Sequence, residues 1–207
     1  MDAQECLHPD FVLAAYQGGY FPMPDSKTGE ILWYNPDPRA VIPLHQFHVS
    51  RSLRRSAKHG CFQITFNTDF TGVIEGCAGR EQTWISEEIK KAYIRLFELG
   101  FAHSVEVRNE SGLLIGGLYG LSQGRVFNAE SMFSRESNAS KIAIWALISR
   151  MNACKMTLLE VQFMTPHLKS LGAVEVPKES YLSLLAVALS EDVKFTGEPT
   201  TSSALGA

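Results

Sequence analysis

Val126-Phe127-Asn128-Ala129-Glu130-Ser131-Met132-Phe133-Ser134-Arg135, followed by Asn138-Ala139-Ser140-Lys141, is the stretch from which the rest of the chain is best read. Period-two alternation from Val126 places apolar and polar side chains on opposite faces of a strand. Glu130 breaks the pattern, sitting between two small residues with Met132 and Phe133 directly after it. A carboxylate in apolar company is costly unless something pairs with it. An ion pair with Arg125 or Arg135 would meet that need, and so would a place in a functional site.

On either side of this strand the pattern is legible. Residues 102–108 and 113–119 read as strands joined by turns at 109–112 and around 123–124, so that an antiparallel meander ends in the 126–133 strand. A helix that is apolar nearly all round follows over 139–152, then a buried strand over 157–163 and a final helix over 177–189 with Pro177 as its first residue. Upstream, Ser86 caps a helix whose buried face carries Ile89, Ala92, Tyr93, Leu96 and Phe97, with Glu87 and Glu88 complementing its N-terminal dipole. Residues 62–66 alternate as a strand, 70–77 suit a short helix, and 9–17 suit an amphipathic one. Between them lies a proline-rich segment in which Tyr16, Met23, Trp33 and Tyr34 suit either a small aromatic core or the wall of a cleft.

The chain has 207 residues, 45% of them hydrophobic, and a net charge of −3. That charge excludes a global positive field, so any contact with a polyanion must be a local patch. One such patch is visible. Ser50 can cap a helix on which Arg51, Arg54, Arg55 and Lys58 share one face, and four mutually repelling cations on a stripe suit a phosphate-bearing partner better than they suit stability. No apolar run approaches the roughly 18 residues of a spanning helix, and the acidic N-terminus (Asp2, Glu5, Asp10) is unlike a signal peptide. A soluble, cytoplasmic protein is expected. Cys6, Cys61, Cys77 and Cys154 make no metal-like spacing with the histidines, so free thiols and no metal site are expected.

The 126–135 decapeptide with its Ser140-Lys141 resembles the signature of the leucyl/phenylalanyl-tRNA–protein transferases. Residues 16–23 (YQGGYFPM), 31–41 (ILWYNPDPRAV), 47–55 (FHVSRSLRR), 83–85 (TWI), 100–107 (GFAHSVEV), 116–120 (GGLYG) and 171–177 (LGAVEVP) resemble that family's blocks in the same order. The resemblance implies an α+β fold, with a small N-terminal domain carrying the basic helix over 1–60 and an acetyltransferase-like catalytic domain over 61–190; the tail over 191–207, rich in Thr, Ser, Gly and Ala, is expected to be disordered. The resemblance also implies an enzyme that moves leucine or phenylalanine, sometimes methionine, from aminoacyl-tRNA onto N-terminal arginine or lysine of an acceptor protein, marking it for the bacterial N-degron route. A monomer with no cofactor and no membrane association is then expected.

Site residues carried over by the resemblance are Glu130, Glu160 and Gln162 as catalytic, and Met23, Trp84, Leu118, Met132, Phe133, Ala143, Leu147, Leu159 and Thr165 as the substrate pocket. Arg51, Arg54, Arg55 and Lys58 would bind tRNA. Alternation puts Glu160 and Gln162 on one face of their strand, where the two polar side chains can meet over a reacting centre. Members of the family usually carry aspartate where this chain has Glu160, which leaves open a related transferase with altered donor or acceptor choice, such as arginine to acidic N-termini. A coenzyme A-dependent N-acetyltransferase is a further alternative. It is disfavoured because residues 133–138, between strand and helix, contain no glycine for a pyrophosphate-binding turn. A non-catalytic RNA-binding module would explain the basic stripe but leave Glu130, Glu160 and Gln162 without a purpose.

Overall fold

The computed structural model describes residues 7–25, 27–60, 62–80, 83–196 and 205, with the backbone alone at 200 and 201. In chain order the elements are α1 (Pro9–Gln17), β1 (Phe21–Pro24), β2 (Ile31–Tyr34), β3 (Arg39–Ile42), α2 (Arg51–His59), β4 (Gln63–Phe66), α3 (Phe70–Ala78), α4 (Glu87–Glu98), β5 (Ala102–Arg108), β6 (Leu114–Gln123), β7 (Val126–Ser134), α5 (Ala139–Ala153), β8 (Leu158–Gln162), α6 (Pro166–Ser170), β9 (Val174–Val176), α7 (Lys178–Leu189) and β10 (Thr200–Thr201). β1 and β2 form a hairpin of their own. The others make one sheet in the order β10-β4-β5-β6-β7-β8-β3-β9.

The expected mixed α and β architecture is present. β4 to β7 are an antiparallel meander, and α5 then carries the chain to β8, which lies parallel to β7. α5 is buried all round over 142–148: Ile142, Ala143 and Leu147, with Met151, share one core with Leu53 and Ala57 of α2 and with Ile64, Val105, Leu118 and Leu159 of the sheet. A second core, on the other face, joins Val12 and Tyr16 of α1 to Val73 and Ile74 of α3, Ile89 and Tyr93 of α4, and Tyr119. α7 closes a third with Tyr181 and Leu185 against Val41, Val126 and Leu158.

Ser50 and Ser86 cap α2 and α4 as expected, each accepting from the backbone N–H three residues on. Pro177 stands as the N-cap of α7, one place outside the helix. Within the unit expected over 1–60, β3 is an inner strand of the large sheet and α2 packs on α5. In the expected disordered tail, Phe195 is buried against the rings of Phe66, His103 and Phe127, which places 191–196 within the fold. Beyond residue 196 only 200, 201 and 205 fall among the described residues. Cys77 and Cys154 are free thiols, whereas Cys6 and Cys61 lie outside the described residues. Among the described residues no helix is long and apolar enough to cross a membrane.

Candidate active site

β7 and β8 are hydrogen-bonded neighbours only from Val126 and Leu158 to Asn128 and Glu160, and beyond that they diverge. Each carries one unpaired residue at the point of divergence. On β7, Ala129 pairs with Gly120 and Ser131 with Tyr119, so Glu130 is the bulged residue. On β8, Glu160 pairs with Val41 and Gln162 with Ala40, leaving Val161 extra. Bulges re-aim side chains. Here the bulge breaks the alternation expected from the sequence, so that Ala129 and Met132, three apart, line the same cavity, and Glu130, at its edge, reaches Tyr16 of the second core with its carboxylate. Gly120 permits it, since a Cβ there would fall on the carbonyl oxygen of Asn128 and the ring of Phe127.

Glu130 is buried and held from two sides. Tyr16 of α1 donates to Oε1 at 2.7 Å, and Gln162 Nε2 donates to Oε2 at 2.8 Å. The hydroxyl of Tyr93, from α4, hydrogen-bonds that of Tyr16. Burial pushes the Glu130 carboxyl up to about 8; the nearby charge of Glu160 pushes the same way, while the donors Tyr16 and Gln162 oppose it. Burial and the charge of Glu130 in turn hold the Tyr16 and Tyr93 hydroxyls well above their ordinary range, so both keep their protons. The Tyr93–Tyr16–Glu130 chain can run in either sense: towards Glu130 when it is ionised, away from it when it is protonated.

Glu160 is wholly buried. Its Oε1 accepts from Arg39 Nη1 at 2.9 Å and from the Gln162 backbone N–H at 2.6 Å. The expectation that the Glu160 and Gln162 side chains meet over a reacting centre is therefore corrected. Glu160 is drawn back to Arg39, which β3 brings alongside β8, and the Gln162 side chain alone reaches Glu130. Gln162 has φ +64°, a left-handed conformation that costs a non-glycine residue ~1–2 kcal/mol.

Next to Glu130, on the α5 side, lies a cavity of about 80 Å³, lined by Ile42, Leu118, Ala129, Met132, Ile144, Leu147, Leu159, Val161 and Leu168, with Glu130 and Ser131 its polar members. That is roughly five to eight times the ~10–15 Å³ one water requires, enough for an apolar side chain. Of the expected pocket residues, Leu118, Met132, Leu147 and Leu159 line it. Ala143 is buried in the same core without reaching the cavity. Phe133 faces the other core, where its ring fills the space left by Gly76. Thr165 caps α6 by accepting from Leu168 N at 3.1 Å. Met23 is half-buried on β1, and Trp84 half-buried on the second core just before the α4 cap.

The basic stripe lies elsewhere, on α2. Leu53 and Ala57 anchor that helix, while Arg51, Arg54, Arg55 and Lys58 are exposed and none pairs with a carboxylate among the described residues. Arg39 and Tyr93 were given no site role from sequence, and Tyr16 was read as either core or the wall of a cleft. A signal existed for each. A charged residue opening the apolar run Arg39-Ala40-Val41-Ile42 must find a partner, and a buried tyrosine hydroxyl needs one too.

Residues 41–186 match the family described as leucyl/phenylalanyl-tRNA protein transferase, and residues 5–37 match that family's N-terminal domain. A leucyl/phenylalanyl-tRNA–protein transferase of Dinoroseobacter shibae is 45% identical over 93% of this chain and 86% of its own length. One of Novosphingobium aromaticivorans is 49% identical over 88% of this chain and 71% of its own length. Among solved structures, that of L-PGS from Bacillus licheniformis shares 11% identity at a TM-score of 0.43, over 78% of this chain and 55% of that one. A GCN5-related N-acetyltransferase-like protein from Streptococcus suis shares 11% identity at a TM-score of 0.34, over 92% of this chain and 64% of that one. With two family models matching in sequence along most of its length, and relatives near half identity, this chain belongs to the leucyl/phenylalanyl-tRNA–protein transferase family.

Proposed function

We propose that this protein transfers leucine or phenylalanine from aminoacyl-tRNA to the α-amine of acceptor proteins that begin with arginine or lysine, acting as a cytoplasmic monomer in an N-degron route. One observation carries the reading: an apolar cavity of side-chain size opens beside Glu130, a buried carboxylate clamped by Gln162. The donor's side chain occupies the cavity, which sets its ester carbonyl beside Glu130. α2 holds the acceptor stem of the tRNA through its phosphates, positioning it without reading sequence.

The acceptor nitrogen attacks the ester carbonyl carbon, the bond from that carbon to the ribose oxygen breaks, and the amine proton ends on the ribose hydroxyl. An amine of pKa near 8 is about one-tenth neutral at pH 7, so a strong base is unnecessary. Glu130, pushed up to about 8 by burial, is ionised in about one-tenth of molecules at pH 7, and in that form accepts the proton almost isoenergetically and returns it to the leaving oxygen. Tyr16 donates to the ionised carboxylate and can reverse to accept from the protonated one. Gln162 cannot act as a base. Its Nε2 carries a second hydrogen beyond the one given to Glu130, available to the developing oxyanion.

The test is incubation of the protein with charged tRNA and an Arg-initiated peptide, with acetyl-coenzyme A as the rival donor. Peptides extended by leucine or phenylalanine are expected; acetylated peptide, or no product, contradicts the reading.

A further inference from the structure

Arg39 is among the largest fully buried side chains of the described residues, at 1% exposure, and it touches four separate segments. Its guanidinium lies between the rings of Phe21 on β1 and Tyr181 on α7, with centroids 5.0 and 4.5 Å away. Nη2 donates to the carbonyl of Gly19 and to Asn35 Oδ1 at 3.1 Å, and Nη1 donates to Glu160. A buried ion pair is by itself weak evidence of any role, since apolar replacements are often as stable. What sets this one apart is the next bond. The Glu160 oxygen that receives Arg39 also receives the backbone N–H of Gln162, the left-handed residue whose side chain reaches Glu130.

We propose that Arg39 is a positioning residue for the transfer: by fixing Glu160 it holds Gln162 in its left-handed conformation and so aims the Gln162 amide at Glu130. The inference rests on the reading of Glu130 and Gln162 as the reacting centre. The order of bonds runs Arg39, Glu160, Gln162, Glu130, Tyr16, with no branch from Arg39 to the cavity. Glu160 holds the Gln162 N–H at 2.6 Å, and without that bond a left-handed glutamine relaxes to an extended conformation that turns its amide away. Lysine in place of Arg39 keeps the charge but loses the planar fork and its stacking, so it is not a conservative change.

The experiment is a double-mutant cycle read as kcat at saturating aminoacyl-tRNA and Arg-initiated peptide, with Arg39→Met, Gln162→Ala and the pair. Residues acting as one unit are non-additive, so Arg39→Met alone is expected to lower kcat by about thirtyfold or more, and by less than about threefold once Gln162 is alanine. KM for both substrates should stay within about threefold, because no binding contact is removed. The variant Arg39→Met with Glu160→Leu replaces the ion pair by apolar groups and serves wherever the single variant fails to fold. It should unfold near the wild-type temperature and show the same kcat loss, absent again in the Gln162→Ala background. Full activity of that variant, or an equal loss from Arg39→Met in both backgrounds, overturns the inference alone. Gln162→Ala working at the wild-type rate overturns the reading of the site and the inference with it.

Discussion

Gln162 Nε2 donates to Glu130 Oε2 across 2.8 Å, and this bond spans the gap between two strands that part company three residue pairs after they first meet. The backbone ladder that would have filled the gap is missing. Side chains fill it instead, which makes the opening between β7 and β8 a place where a substrate can be held against polar groups.

Glu130→Gln is expected to raise KM for the Arg-initiated peptide much more than KM for aminoacyl-tRNA. Ionised Glu130 attracts the acceptor's basic N-terminal side chain and repels tRNA phosphates, and because burial lifts the carboxyl to about 8 the difference should widen as pH rises through that value. Steady-state kinetics with each substrate varied checks it, and the opposite pattern would place Glu130 on the tRNA side.

The same substitution should stabilise the fold at alkaline pH. A carboxyl with an ordinary value of 4.5 and a native value of about 8 binds its proton more tightly when folded. Its contribution is therefore fully present below pH 4.5 and is lost as pH rises through 8, by an amount on the order of a few kcal/mol. Gln at 130 escapes that loss. Urea unfolding at pH 9 should show the variant more stable than wild type, with little difference at pH 4; a variant less stable at pH 9 would mean that Glu130 stays ionised in the fold.

At the cavity, Leu118→Trp or Met132→Trp should cost phenylalanine transfer more than leucine transfer, because an apolar site discriminates by volume, at ~1–3 kcal/mol per methylene. Competition between the two charged tRNAs measures the ratio. Equal losses would point to misfolding.

Replacing Arg54 and Arg55 by Glu on the exposed face of α2 should weaken tRNA binding and flatten its salt dependence by roughly one unit of slope per lost phosphate contact. Binding measured at several salt concentrations decides it, and an unchanged slope would remove α2 from the tRNA interface.

Glu160→Asp should keep transfer within about tenfold, whereas Glu160→Ala should lose at least about a hundredfold in kcat. Alanine leaves Arg39 buried without its carboxylate, a change that typically costs ~3–5 kcal/mol of stability. Kinetics alongside thermal unfolding separates the two effects. A nearly silent alanine would show that neither Arg39 nor Gln162 depends on this carboxylate.

Local signals made most elements readable before the structure. Ser50 and Ser86 mark helix starts, and the all-apolar run from Ile142 to Ile148 demands a helix buried on every side. The β5–β7 meander follows from alternation and its turns. Contacts between distant residues left no such trace. Arg39 and Glu160 are 121 positions apart, Tyr16 and Glu130 are 114, and nothing in the spacing of either pair announces the bond. The bulge at Glu130 was hidden for a different reason: one extra residue shifts the parity of the strand, which strict alternation cannot foresee. Phe195 was missed because its polar, small-residue neighbours read as a tail, though a single aromatic suffices to anchor that segment to the sheet.

The most direct measurement is single-turnover transfer from Phe-tRNA to an Arg-initiated peptide, with wild type and Gln162→Ala compared at saturating substrates and binding of Phe-tRNA measured separately. Wild type should form the Phe-extended peptide, and Gln162→Ala should form it at least about a hundredfold more slowly, some 2.7 kcal/mol, while binding Phe-tRNA as tightly. A variant that transfers at the wild-type rate, or one whose loss lies wholly in tRNA binding, would contradict the placement of the chemistry between Glu130 and Gln162.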